Sequence, residues 1–205
     1  MKKNFFRFNS LRFNWKFGLI LILLFGIPRF LIVLDANRSG NYNFTSVIFV
    51  IMALSPLVLL NKDGRRAIGL KKSKNPFWLI KSFVLGILIC TLIFLLGKVL
   101  YGESIDNWFV YISKSYRSIP VEELKGNNKP LYFAMFALIG MTFSPIGEEL
   151  LYRGLIHQSF VPSFGDNKAS IIDSLAFSMV HLAHFGIVWS SGMFQILTVP
   201  ALLWL

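Results

Sequence analysis

Long unbroken apolar runs, separated by short polar or basic segments, organise this chain. Six can be drawn, at residues 17–34, 45–60, 77–100, 131–147, 169–189 and 193–205. Most approach the roughly 20 residues that a helix needs to cross a bilayer core. The runs are continuous and rich in Leu, Ile and Phe, without apolar-polar alternation, so they predict helices and exclude a barrel. The expected fold is therefore all-α: a polytopic transmembrane helical bundle of about six spans. The last run stops at "ALLWL" without a polar flank, and the reading is a chain truncated within its sixth span.

Composition agrees with this pattern. Of 205 residues, 55% are hydrophobic and only 15% charged, which excludes an ordinary soluble domain. The net charge of +11 does not mark a nucleic-acid partner, because the basic residues sit between apolar runs and line no folded surface. Lys2, Lys3, Arg7, Arg12 and Lys16 precede the first run, and Lys62, Arg65, Arg66, Lys71, Lys72 and Lys74 lie between the second and third. By the positive-inside rule both segments are cytoplasmic, which predicts a multi-pass plasma-membrane protein with a cytoplasmic N-terminus and the 35–44 loop outside. The 101–130 loop balances its charges and fits the outer face, so the end of the fourth run faces the cytoplasm.

The first run is long for a signal peptide, is interrupted by Pro28-Arg29 and lacks a small-residue cleavage site, so it is read as a retained span. Arg29, Lys81 and Lys98 are read as snorkelling residues near span ends. Cys90, the one cysteine, is expected as a buried, inert thiol. Neither repeats nor a second domain are visible, so residues 1–205 form a single membrane domain, with 1–130 supplying N-terminal spans and loops.

The fourth run continues into "SPIGEELLYRG", residues 144–154. A charge at mid-membrane costs roughly 2.5–3.5 kcal/mol on insertion scales, so these charges have to be shallow, paired or turned toward a wet cavity. Glu149 and Arg153 stand at i and i+4 with the acid first, the favourable order for a helical ion pair. Glu148 points about 100° away and has no such partner, which is the profile of a general base. A helix-end anchor at the interface fits the spacing equally well, and Pro145 and Gly147 do not decide between the two.

A second cluster favours chemistry. In "LAFSMVHLAHFG", Phe177, His181 and His184 fall near one helical face of the next apolar run. Acids on one span and imidazoles on the next suffice to hold and polarise a water. A metal site would use Glu148 and His181, with zinc the candidate ion, but the H-x-x-H spacing lacks the H-E-x-x-H signature of zinc peptidases. His157 is read as an interfacial residue.

"EELLYR" followed by "FSMVH" resembles the EExxxR and FxxxH motifs of the CPBP family, the type II CAAX prenyl endopeptidases and their bacterial relatives, also called the Abi family, which includes bacteriocin-immunity proteins. A proline shortly before the Glu pair and Arg-Gly after it agree. The resemblance covers about residues 130–205, so that 131–205 would be a partial CPBP protease core. It implies an intramembrane endopeptidase in which Glu148 activates water with help from His181, Glu149 and Arg153 organise the site, and Phe177 and His184 are auxiliary. It also implies a membrane-embedded or membrane-associated peptide substrate and no required metal or other cofactor. The family's further HxxxN or HxxxD motif, which looks to supply oxyanion contacts, is not found before Leu205. That motivates the alternative expectation of a non-catalytic membrane immunity or interaction protein.

Overall fold

The apolar run after the basic N-terminus folds as one helix, α1 (Trp15–Ser39). Its N-cap is Asn14, whose side-chain oxygen accepts from the Phe17 N–H at 3.0 Å. It ends at Gly40, where φ of 77° suits glycine and the N–H returns to the Ala36 carbonyl. Pro28 does not break it. A π-helical turn, Ile22–Gly26, lies just ahead, where the proline ring would otherwise press on the preceding turn of an α-helix.

In this computed structural model the described residues are 4–8, 10–41, 43–107, 109, 110, 130, 131, 134 and 138–205. After α1 come α2 (Asn43–Leu59), the short α3 (Lys62–Ala67) and α4 (Phe77–Tyr101). A continuous helix, α5, covers 139–164 and alternates between π-helical (Ile139–Phe143, Glu149–Ile156) and α-helical turns (Ser144–Glu148, His157–Phe164). Then follow α6 (Asp166–Phe185), a hairpin of β1 (Ile187–Ser190) and β2 (Met193–Ile196), and α7 (Thr198–Trp204). The 101–130 loop expected on the outer face lies mostly outside the described residues.

The protein is thus mostly helical, but two expectations change. The all-α reading misses the antiparallel hairpin, which pairs Ile187 with Ile196 and turns through Ser191-Gly192, both with positive φ as a tight two-residue hairpin turn requires. The sixth apolar run is accordingly divided between β2 and the seven-residue α7, too short to cross a bilayer by itself. Two described helices, α1 and α4, are long and apolar enough to span a membrane, and α2 is a shorter apolar helix. The fourth run continues through the glutamates as expected, and α5 carries them in its interior.

Helices α1, α2, α5 and α6 pack around Met52, Leu151, Tyr152, Leu155, Ile156 and Val180. Glycines set how closely they approach. A Cβ on Gly18 would fall 2.6 Å from the Phe160 ring, and one on Gly26 would touch Val180 at 3.4 Å, so α1 runs tightly along both α5 and α6. Asn37 adds a polar tie, its Nδ2 donating to the Ala183 carbonyl at 2.6 Å. At the other end, the N-terminal tail pairs with the end of α2: the Arg7 N–H donates to Leu59 and the Asn61 N–H to Phe5.

Gly147, the residue before Glu148, meets backbone on its open side. A Cβ there would lie 2.9 Å from the Phe49 carbonyl oxygen and 3.0 Å from the Ala53 nitrogen, and these are backbone atoms of α2 that cannot rotate away. Gly147→Ala is expected to cost about 1–3 kcal/mol through overpacking. Thermal unfolding of the purified protein in detergent checks this; an unchanged transition would refute the close approach.

Helix α4 stands apart, with no buried residue along its 25 residues. Its outward-facing side chains include Cys90, so the expected buried thiol is corrected to an exposed one on an apolar helix. Lys81, at the start of the helix, lies 5.0 Å over the Trp78 ring and 5.3 Å over the Phe77 ring.

Candidate active site

Three helices bring an acid, an imidazole and a guanidinium together. Glu148 of α5 accepts on Oε1 from Arg29 Nη2 of α1 at 2.7 Å and from the Ser144 hydroxyl one turn back at 3.2 Å. The other carboxylate oxygen, Oε2, lies 3.9 Å from Nε2 of His181 on α6. Arg29 Nη2 also contacts that Nε2 at 3.2 Å. An arginine N–H can only donate, so Nε2 is the acceptor, and the proton of the neutral ring belongs on Nδ1. There it donates to the Phe177 carbonyl at 2.8 Å.

The spacing of F-x-x-x-H now has a physical reason. One helical turn places the Phe177 carbonyl under His181 Nδ1, and the Phe177 ring packs on the imidazole with centroids 4.2 Å apart. Tyr152 buttresses Phe177 edge-on at 5.3 Å. Both ring position and tautomer are therefore held from one side, leaving Nε2 for the site. His184 is half-buried and lies edge-on against Phe185.

Arg29 is corrected from a snorkelling residue to a buried one, 3% exposed. It stands near the middle of α1, about 20 Å along the axis from Trp15 and about 15 Å from Ser39. Its guanidinium carbon lies 5.0 Å from the Phe49 ring centroid, so α2 forms one wall of its pocket. The signal in the sequence was an arginine inside an apolar run, which counts as a functional candidate by default.

The expected Glu149–Arg153 pair does not form. Glu149 is exposed and makes no ion pair among the described residues, whereas Arg153 bonds Asp173 on α6 and donates to the Ser174 hydroxyl at 2.7 Å. Two causes act together. The π-helical turn from Glu149 to Ile156 breaks the α-helical register on which an i, i+4 pair depends, and a fully buried carboxylate gains more from a counter-ion than an exposed one.

Asp173 itself escaped the sequence reading, although a lone acid one turn before Phe177 in an apolar run was its signal. It is fully buried and also binds His157 Nδ1 at 2.7 Å, while Asp166 holds His157 Nε2 at 3.0 Å. His157 is thus corrected from an interfacial residue to the centre of a clamp between α5 and α6. Arg153, His157 and Asp173 fasten these helices together and act on Glu148 and His181 only by holding their frames.

The site thus sets an acid, an imidazole and a guanidinium side by side in a mostly helical protein, two of whose helices are long and apolar enough to cross a membrane. Residues 130–205 match the Type II CAAX prenyl endopeptidase Rce1-like family, and the match supports membership in it. The match supports a CAAX protease-like function. No curated protein and no solved structure gives a significant match. Arg29 lies outside the matched residues.

Proposed function

We propose that this chain is an intramembrane endopeptidase in which Glu148 is the general base and His181 its partner. The carrying observation is the 3.9 Å separation of Glu148 Oε2 and His181 Nε2, which a single water bonded to both would span. Glu148 takes a proton from that water as its oxygen attacks the peptide carbonyl, then delivers the proton to the leaving nitrogen. His181 holds the water's second hydrogen, displacing its long contact to Arg29.

The reaction needs no metal in this reading. The guanidinium of Arg29 already sits between Glu148 Oε1 and His181 Nε2, where it uses the imidazole lone pair and would repel a dication.

The substrate is a membrane-embedded or membrane-associated peptide, because the site lies about half-way along a helix of membrane-spanning length. Helices α2, α5 and α6, packed around that site, cross the membrane with α1 and α4. The N-terminus lies on the cytoplasmic side of the plasma membrane. This is supported by the pairing of the tail with the end of α2, which puts both basic segments on one side.

The test is cleavage of a membrane-embedded peptide by the purified protein, compared with Glu148→Ala and His181→Ala. Loss of most turnover in both variants, with folding retained, is the expected result. Unchanged cleavage in the two variants would remove the assigned roles.

A further inference from the structure

We infer that Arg29, contributed by the first helix and outside the family-matched segment, is a catalytic residue that holds the oxyanion of the tetrahedral intermediate. This rests on the proposed endopeptidase reading and adds to it a donor that the two motifs do not contain.

The first observation is an unfilled donor set. Arginine carries five N–H donors, and here Nη2 bonds Glu148 and contacts His181. Among the described residues Nε and Nη1 are buried with no hydrogen-bond partner, and the Tyr152 hydroxyl is the polar group close enough to Arg29 to interact with it. Buried polar groups are nearly always satisfied, so two unfilled nitrogens on the guanidinium that binds Glu148 are a feature to be explained. A guanidinium serving only to neutralise Glu148 would leave no reason for them.

The second observation is where the charge goes. When Glu148 Oε2 takes the proton of the attacking water, the water oxygen bonds the carbonyl carbon and the carbonyl π pair moves onto oxygen. The negative charge leaves Glu148 and forms on the former carbonyl oxygen. As the intermediate collapses, that oxygen re-forms its double bond, the C–N bond breaks and the nitrogen takes the proton from Glu148, giving an acid and an amine. A guanidinium beside Glu148 is counter-ion to both states: Nη2 holds the carboxylate first, and once Glu148 is neutral the idle Nη1 and Nε take the oxyanion. The apolar wall of Phe49 and the low exposure of the group keep that field strong.

The full chain is assayed in detergent with a membrane-embedded peptide and with the same peptide carrying a phosphinate at the scissile bond, whose tetrahedral anion copies the intermediate. Arg29→Gln is expected to lower kcat about 10²–10³-fold with KM within about threefold, as for loss of one oxyanion donor. The phosphinate should lose affinity by the same factor, while the unmodified peptide binds Glu148→Gln and Glu148→Gln/Arg29→Gln equally well. If Arg29→Gln does not fold, Arg29→Lys is read instead; it keeps the charge but not the fork, and kcat should fall at least about tenfold.

Arg29→Gln turnover within threefold of the unaltered protein, or equal losses of affinity for phosphinate and peptide, would make Arg29 a packing residue and overturn this role. Glu148→Gln would still be inactive in that case, so the endopeptidase reading would survive. Wild-type cleavage by Glu148→Gln, or none by the unaltered protein, would overturn that reading and the Arg29 role with it.

Discussion

Replacing Glu148 by glutamine is expected to lower peptide cleavage by about 10²–10⁴-fold, the range of general-base catalysis, while the same change at Glu149 leaves it within about threefold. The two residues are adjacent and chemically identical, so only their surroundings separate them. Glu148 faces inward, bonded by Arg29 and Ser144 and 3.9 Å from His181, whereas Glu149 is exposed and unpaired among the described residues. Glutamine keeps the shape and can still accept from Arg29, but it cannot take a proton from water at useful rates. A folding defect would lower activity at both sites alike and would be visible in thermal unfolding. Comparable losses in the two variants would show that the exposed glutamate acts on the reaction too, and would overturn the division of roles drawn from the geometry.

Asp173→Ala is expected to be among the most destabilising single changes in the described core, at about 2–4 kcal/mol. The carboxylate is fully buried and is shared by Arg153 and His157, so its loss strands two donors at the α5–α6 contact. The estimate stays below the upper end for a broken buried pair because Arg153 is 43% exposed and can turn to solvent. His157 also keeps its bond to Asp166. Asp166→Ala is the internal control: that side chain is 79% exposed, and its removal should cost well under about 1 kcal/mol. Thermal or denaturant unfolding of the two variants in the same detergent decides the matter, and equal stabilities would mean that the clamp contributes nothing. Cleavage should fall in Asp173→Ala only as far as the folded population falls, because the residue does not touch Glu148 or His181.

The chain alone pointed to the helical character, to Glu148 and His181 as candidates that the fold brings within 3.9 Å, and to the family that residues 130–205 match. Apolar periodicity and motif spacing are local properties, and a charged residue in an apolar run stands out without any knowledge of its neighbours. Which charges pair could not be read that way. The i, i+4 rule assumed an unbroken α-helix and joined Glu149 to Arg153, but α5 turns π-helical there and Arg153 answers a carboxylate twenty residues away. Arg29 lies 119 residues from the glutamate it binds, and Gly18, Gly26 and Asn37 bring the two together only once α1 has packed against α5 and α6. A buried charge is matched by whatever partner the packing delivers, and packing between distant segments leaves no periodicity in the sequence. What the residues by themselves determined was which groups had to be neutralised or used; the tertiary structure alone decided by whom.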